Sequence, residues 1–158
     1  MSARYTDSEI AQMIAELKPL PADYESRIQM REKRGHRERE LLVTGNSGGE
    51  YRLILRQGIH NPLDFSIILG VSPSDTSQLF RLRRYNGRHQ HTNLIERNTF
   101  YAFHIHHATE RYQDRGTRED AYAEATDRYS DYATAQDCMI QDCGFVLPNG
   151  SQSSLFLR

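Results

Sequence analysis

The spacing of apolar residues changes along the chain, and its first part follows the period of an α-helix. Residues 6–9 have the pattern of a capping box, and apolar residues then recur at intervals of three and four over residues 10–17. A second, more polar helix is predicted over residues 23–34, where Gly35 would end it. The chain is therefore expected to begin with two helices.

The middle of the chain alternates between apolar and polar residues, which is the period of β-strands. Strands are predicted over residues 41–43, 51–56, 65–69, 79–85 and 100–106. Asn86 and Gly87 follow one alternating run and precede another, and this pair is typical of a two-residue hairpin because a type I′ turn needs positive φ at both positions. We expect an antiparallel meander over residues 51–106 with a tight turn at Asn86 and Gly87.

The last part of the chain returns to helical spacing. A short helix is predicted over residues 108–115, and a long helix over residues 117–143, with Gly144 as its terminator. The expected fold class is α+β: two N-terminal helices, a curled antiparallel meander, and C-terminal helices packed on one sheet face. Residues 1–147 would form a single domain, and residues 148–158 a tail or one added strand. The other sheet face would be open to a ligand.

Length and composition narrow the class of protein. A chain of 158 residues is expected to form one domain with a core of its own. No apolar run approaches the roughly 18 residues of a membrane span, and the N-terminus lacks the apolar region of a secretory signal. Its two cysteines do not imply a disulfide framework. The sequence thus predicts a cytoplasmic protein without a membrane partner.

Charge is distributed unevenly. Residues 27–97 carry a formal net charge of +6, whereas residues 1–26 carry −3 and residues 98–158 carry −4. Eighteen of the twenty basic residues are arginines, whose planar guanidinium favours bidentate contacts with phosphate. A coding bias toward arginine would explain the same count. The basic middle nevertheless favours an anionic partner such as RNA or another phosphate-bearing ligand.

The most unusual feature is a histidine cluster, since five of the seven histidines lie between residues 89 and 107. If the hairpin turns at Asn86 and Gly87, Arg84 pairs with His89, and His91 shares their face. On the later strand, His104 and His106 share a face because side chains alternate along a strand. Two such pairs on neighbouring strands can converge into one site.

Metal-independent cleavage of RNA is the first hypothesis for this cluster. One neutral histidine would take the 2′-hydroxyl proton, one charged histidine would protonate the leaving oxygen, and an arginine would stabilise the phosphorane. No cofactor would be needed. The predicted catalytic residues are His89, His91, His104 and His106. The predicted substrate-binding residues are Arg81, Arg83, Arg84, Arg88, Asn93, Arg111 and Tyr112.

Two other interpretations stay open. His89, His91 and Glu96 have the spacing of the first cupin motif, and His106 or His104 would complete a metal site. That resemblance covers about ten residues, and the second cupin motif is missing. The third interpretation is structural, in which the histidines make ordinary hydrogen bonds on the sheet. The main alternative class of function is a non-enzymatic binding protein, for instance an accessory or anti-defence protein of a mobile element that binds nucleic acid, a nucleotide or another protein.

Two resemblances bear on these hypotheses. The segments at residues 80–93 (FRLRRYNGRHQHTN) and 103–112 (FHIHHATERY) resemble a group of small, uncharacterised bacterial and mobile-element proteins. The order of elements is similar to that of RelE-like and barnase-like RNase toxins, which place two helices before a four-stranded antiparallel sheet. That similarity implies a toxin-like nuclease whose catalytic side chains lie on the concave sheet face.

Overall fold

The computed structural model describes residues 4–73 and 77–148, which form an α+β fold built around an antiparallel sheet. In chain order the elements are α1 (Asp7–Ala15), β1 (Lys18–Pro19), α2 (Tyr24–Arg27), β2 (Arg31–Lys33), β3 (His36–Thr44), β4 (Glu50–Gly58), β5 (Phe65–Val71), β6 (Phe80–Asn93), β7 (Asn98–His107), α3 (Glu110–Asp114), β8 (Tyr122–Ala125), α4 (Tyr132–Asp142) and β9 (Phe145–Val146). The predicted fold class is confirmed. None of the helices in the described segments is long and apolar enough to cross a membrane.

The main sheet is a seven-stranded meander in which each strand pairs with its sequence neighbour. Its order is β2-β3-β4-β5-β6-β7-β8, and every pairing is antiparallel. The predicted strands in the middle of the chain all occur, although several extend beyond the predicted bounds. A second, two-stranded sheet pairs β1 with β9 in parallel and so joins the two ends of the described chain.

The two faces of the main sheet have different chemistry. One face carries buried apolar side chains, among them Leu53, Ile67 and Tyr85, and it packs against α1 and α4. In α4 this contact buries residues such as Met139. The register places arginines and histidines on the opposite face, which no long helix of the described segments covers. The expectation of helices on one face and an open second face therefore agrees with the structure.

Local sequence signals explain the helices that were predicted correctly. The Thr6 side chain accepts a hydrogen bond from the Glu9 backbone, and the Glu9 carboxylate accepts one from the Thr6 backbone, which completes the capping box of α1. The short helix α3 begins after its N-cap Thr109 and is followed by Gly116, whose φ is 81°. Gly144, with φ of 77°, follows α4 in the same left-handed conformation.

Two predicted helices are wrong. The helix predicted over residues 23–34 is only the four residues of α2, because Gly35 has φ of 75° and turns β2 back onto β3. The helix predicted over residues 117–143 is interrupted by β8, and α4 begins only after Asp131. Asp131 caps α4 by accepting a hydrogen bond from the Thr134 backbone. Residues 149–158 of the predicted tail lie outside the described residues.

The tight turn predicted at Asn86 and Gly87 is also wrong, since β6 continues through both residues. The β6–β7 connection instead lies at residues 94–97, where Arg97 has φ of 57°. Gly87 is needed for close approach rather than for a turn, because a Cβ there would lie 1.9 Å from the carbonyl oxygen of Leu63. Beside it, the Arg88 backbone donates a hydrogen bond to that same oxygen at 3.2 Å.

Candidate functional site

A β-bulge in β6 decides which face the histidines occupy. Asn86 pairs with His104, but the next pair along the ladder joins His89 to Ala102, so β6 contains one extra residue. That residue shifts the alternation of side chains by one. His89 and His91 therefore lie on the same face as Asn86, Arg84 and the His104–His106 pair. The expected sharing of a face by Arg84, His89 and His91 occurs through this bulge and not through a hairpin turn.

The β6–β7 hairpin also curls over its own base. In the ladder His91 pairs with Phe100, whereas His106 pairs with Arg84, far along the strand. The rings of His91 and His106 are nevertheless only 4.8 Å apart between centroids. A bulge bends the strand that carries it and increases its twist, which accounts for this curvature.

Asn93 fastens the curled hairpin to β8. This side chain is almost fully buried, and its amide pairs with the Ala123 backbone: Nδ2 donates to the carbonyl at 2.8 Å and Oδ1 accepts from the N–H at 2.9 Å. Ala123 is the strand partner of His106. The contact therefore holds the tip of the hairpin over the position where His106 emerges.

Three histidine rings meet beneath this curl. One ring nitrogen of each of His91, His104 and His106 lies within 4.8 Å of the other two. His104 is completely buried and His106 is 3% exposed, while His91 is half-buried. His89 packs edge-on against His104 at 4.7 Å between ring centroids, so all four predicted histidines lie in one cluster.

Hydrogen bonds fix the tautomer of each of these three rings. Nδ1 of His104 lies 2.8 Å from the carbonyl of Ala102, and Nδ1 of His106 lies 2.7 Å from the carbonyl of Asp120. Because a carbonyl only accepts, both Nδ1 atoms carry the proton and both Nε2 atoms carry a lone pair.

The tautomer of His91 is also fixed by a hydrogen bond, which in this ring involves Nε2. Its Nε2 lies 2.8 Å from Oδ1 of Asn93. That oxygen already accepts from the Ala123 backbone, so Nε2 of His91 donates and Nδ1 keeps the lone pair. The three rings thus offer three unprotonated nitrogens, and one of them, Nε2 of His104, is buried without a hydrogen-bond partner among the residues that the structure describes.

Burial determines the charge of the two inner rings. Loss of solvation is the main cause that lowers the pKa of His104 to about 4 and that of His106 to about 2. The positive charge of Arg84 lowers the pKa of His106 further. Both rings are therefore neutral near pH 7.

Arg84 lies beside the histidines and is held by a buried carboxylate. It pairs with His106 in the ladder, and its Nε donates to Asp120 at 3.1 Å. Arg118 approaches the other oxygen of Asp120, also at 3.1 Å. Asp120 is completely buried, and its backbone carbonyl is the acceptor for His106. Asp120 thus orients Arg84 and the His106 ring through hydrogen bonds and forms an ion pair with Arg118.

Other predicted site residues lie elsewhere. Arg83 projects onto the helix-covered face, where it pairs with His107 in the ladder and lies near Cys143. Arg88 is exposed and stacks over the Tyr101 ring. Asn93, a predicted substrate-binding residue, holds the ring of His91.

The suggested metal ligand Glu96 is bound by two predicted substrate-binding residues. Its carboxylate accepts from Arg111 at 2.6 Å and from the Tyr112 hydroxyl at 2.5 Å, and it is not part of the three-histidine group. These three residues fasten α3 to the β6–β7 loop. The cupin-like spacing of Glu96 therefore arises from a structural contact.

Sequence reasoning missed Arg56, Arg118 and Asp120. Arg56 and Arg118 line the same cavity as Arg81 and Arg84, although they come from distant parts of the chain. The alternation within β4 places Arg56 opposite the apolar face, and this was the one available signal.

Comparison with known proteins leaves the site to be interpreted on its own chemistry. No protein-family model matches the sequence. No curated protein and no solved structure is significantly similar to this chain.

Proposed function

We propose that this protein is a metal-dependent enzyme that binds one divalent transition-metal ion through His91, His104 and His106. The observation that carries the proposal is the hydrogen bonding of the three rings. Each ring donates one N–H to a carbonyl or amide oxygen and directs its remaining lone pair away from that contact. Histidines that bind metals are oriented by outer contacts of this kind.

The ligand set favours zinc among the metals that imidazole binds. Zinc–nitrogen bonds of about 2.0–2.1 Å place tetrahedral ligand atoms about 3.4 Å apart. One nitrogen of each ring lies within 4.8 Å of the other two, so binding would require side-chain rotations that draw these atoms closer together. His91 is the least buried of the three rings, so its rotation disturbs the fewest buried contacts.

Three protein ligands leave a coordination position for water or substrate. A zinc ion held by these three histidines would supply a water activated for attack on the substrate. The proposed reaction class is therefore hydrolysis. Arg84, next to His106 in the sheet, would stabilise negative charge that develops on the substrate.

RNA cleavage by acid–base catalysis stays a prediction. That mechanism needs one charged histidine to protonate the leaving oxygen. His104 and His106 are kept neutral near pH 7 by burial, which suits metal ligation better than proton donation. The convergence of three rings that each keep an unprotonated nitrogen makes the metal centre the stronger proposal for this cluster.

Replacing His91 with alanine should remove metal binding while the fold is retained. His91 is the least buried of the three ligands, so the variant loses a ligand without emptying the core. We expect purified protein to bind one Zn²⁺ or Co²⁺ per chain, and His91→Ala to weaken the affinity at least about a hundredfold. Elemental analysis and titration of Co²⁺ absorption would measure this, with circular dichroism to verify folding.

The matched control is His60→Ala, because His60 is exposed and lies outside the cluster. This variant should bind metal like the original protein. Equal loss in both variants, or no saturable Co²⁺ binding by the original protein, would overturn the proposal. RNA cleavage that persists in chelator would instead favour the acid–base mechanism.

Asn93→Ala should weaken metal affinity by about ten- to a hundredfold, because Asn93 holds the ring of His91 without touching the metal. Competition with a coloured chelator would give the affinity, and urea unfolding would give the accompanying change in stability. Gln90→Ala changes an exposed amide in the same hairpin and should leave affinity unchanged. A loss of stability in Asn93→Ala with unaltered metal affinity would contradict this positioning role.

A further inference from the structure

A second feature of the open face is a polar cavity of about 480 Å³ next to the histidine cluster. Four arginines contribute to its wall: Arg56, Arg81, Arg84 and Arg118. The remaining lining includes Ser66, the carboxylate-bearing Asp64 and the edge of the β2–β3 turn at Gly35. This volume lies within the range of small-molecule sites.

The cavity and the histidines lie along the same rows of the sheet. Arg56 pairs with Ser66, Ser66 with Asn86, and Asn86 with His104. Neighbouring strands are about 4.8 Å apart, so Arg56 lies roughly 14 Å from His104 across three strand spacings. In the adjacent row, Arg84 is next to His106. Arg84 therefore separates the cavity from the proposed metal site.

Three of the four arginines, Arg81, Arg84 and Arg118, are positioned by carboxylates before any ligand binds. Arg84 and Arg118 both reach the buried Asp120 through Nε, so their terminal nitrogens remain available as donors. Glu119 accepts from the backbone of Arg81 at 3.0 Å. Fixing the side chains in advance reduces the entropy lost when an anion binds.

Three carboxylates face the four guanidinium groups: Asp120 pairs with Arg84 and Arg118, Glu119 pairs with Arg81, and Asp64 lines the cavity. The positive charge in this wall is therefore only partly balanced. Within the described segments, Arg56 forms no salt bridge with a carboxylate. Burial lowers the pKa of Arg84, and the charges of Arg118 and Arg81 lower it further, although Asp120 opposes them. The guanidinium groups are thus close enough to repel one another. A ligand with two negative charges would relieve that repulsion.

We propose that this arginine pocket binds the phosphate group of a small phosphorylated substrate and directs the rest of the substrate toward the metal centre. Several arginines converge on one cavity, and each planar guanidinium can donate two hydrogen bonds to phosphate oxygens. A carboxylate needs only one guanidinium for such a pair of bonds, whereas a phosphate can accept from several. This inference extends the proposed function by naming its substrate class. Binding of free phosphate would require the arginine pocket but not the metal ion.

The test uses inorganic phosphate and protein freed of metal with a chelator. Calorimetric titration should show saturable binding of one phosphate, and Arg56→Gln and Arg84→Gln should each weaken it at least about tenfold, as expected for loss of a charged hydrogen bond. Arg56 is exposed, so its replacement leaves the core intact. Arg31→Gln, an exposed arginine outside the pocket, should change the affinity by less than about twofold.

A second measurement connects the pocket to the metal. In protein loaded with Co²⁺, the ³¹P relaxation of bound phosphate should place phosphorus within about 10 Å of the ion, which is two strand spacings. Normal Co²⁺ binding without phosphate binding would overturn the pocket alone. Phosphate binding without Co²⁺ binding would overturn the metal centre and keep the pocket.

Three other outcomes would also contradict the inference. Succinate binding as tightly as phosphate would favour a carboxylate ligand. Equal effects of Arg31→Gln and Arg56→Gln would indicate nonspecific attraction. Pocket-dependent binding of single-stranded RNA without binding of free phosphate would indicate a nucleic-acid groove.

Discussion

Gly87→Ala should both destabilise the fold and disrupt the metal centre. The added Cβ would lie 1.9 Å from the Leu63 carbonyl oxygen, so the bulge must shift and the hydrogen bond from Arg88 to that oxygen must lengthen or break. Overpacking and one lost hydrogen bond together predict a fall of about 3 kcal/mol in the free energy of unfolding. Urea denaturation would measure it. Co²⁺ affinity should fall too, because the bulge sets the face on which His89 and His91 lie.

Arg88→Ala provides the control at the neighbouring bulge residue. The Arg88 side chain is exposed and only stacks over Tyr101, so stability and Co²⁺ affinity should change little. If Gly87→Ala retained full Co²⁺ affinity, the bulge would not be what aligns the histidines.

Lys18→Met should lower the free energy of unfolding by about 4 kcal/mol. The change removes a buried, charged hydrogen-bond donor and leaves its carbonyl acceptors unpaired. Lys18 is completely buried, and its Nζ lies within 3.0 Å of four backbone carbonyls: those of Met13, Ile14, Glu16 and Cys143. It thereby caps the end of α1 and joins it to the segment after α4. The ammonium also lies over the Tyr51 ring, 4.5 Å from its centroid.

Lys33→Met is the matched control, because Lys33 is the other lysine of the sequence and is exposed. Its salt bridge with Glu38 lies at the surface, so the change should cost less than about 1 kcal/mol. Comparable urea midpoints for the two variants would show that the carbonyl cluster around Lys18 contributes little to stability.

Much of the fold was predictable because local signals determine it. The capping box of α1, the alternation in β4 and β5, and the glycine after α3 each specify structure within a few residues. The errors occurred where a local signal had two physical meanings. Position 87 requires glycine because the backbone there lies close to Leu63. In the sequence, such a glycine cannot be distinguished from one that is required for positive φ.

The candidate site was predictable only in part. The histidine pairs were recognisable because alternation within one strand places both members on one face. The pairing of Asn93 with Ala123 depends on the curvature of the whole hairpin. Residues such as Arg56 and Arg118 join the pocket through tertiary contacts, which strand alternation alone does not report.

The paired strands of the two sheets differ in their separation along the sequence, and this difference affects the folding kinetics. Every pairing in the meander joins neighbouring strands, which keeps the loops to be closed short. The β1–β9 pair instead joins Lys18 to Phe145, across almost the whole described chain. Forming this pair closes a long loop and costs much chain entropy. We therefore expect the pair to form after the transition state for folding. Lys18→Met should consequently accelerate unfolding and leave the refolding rate nearly unchanged, whereas changes within the β6–β7 hairpin should slow refolding.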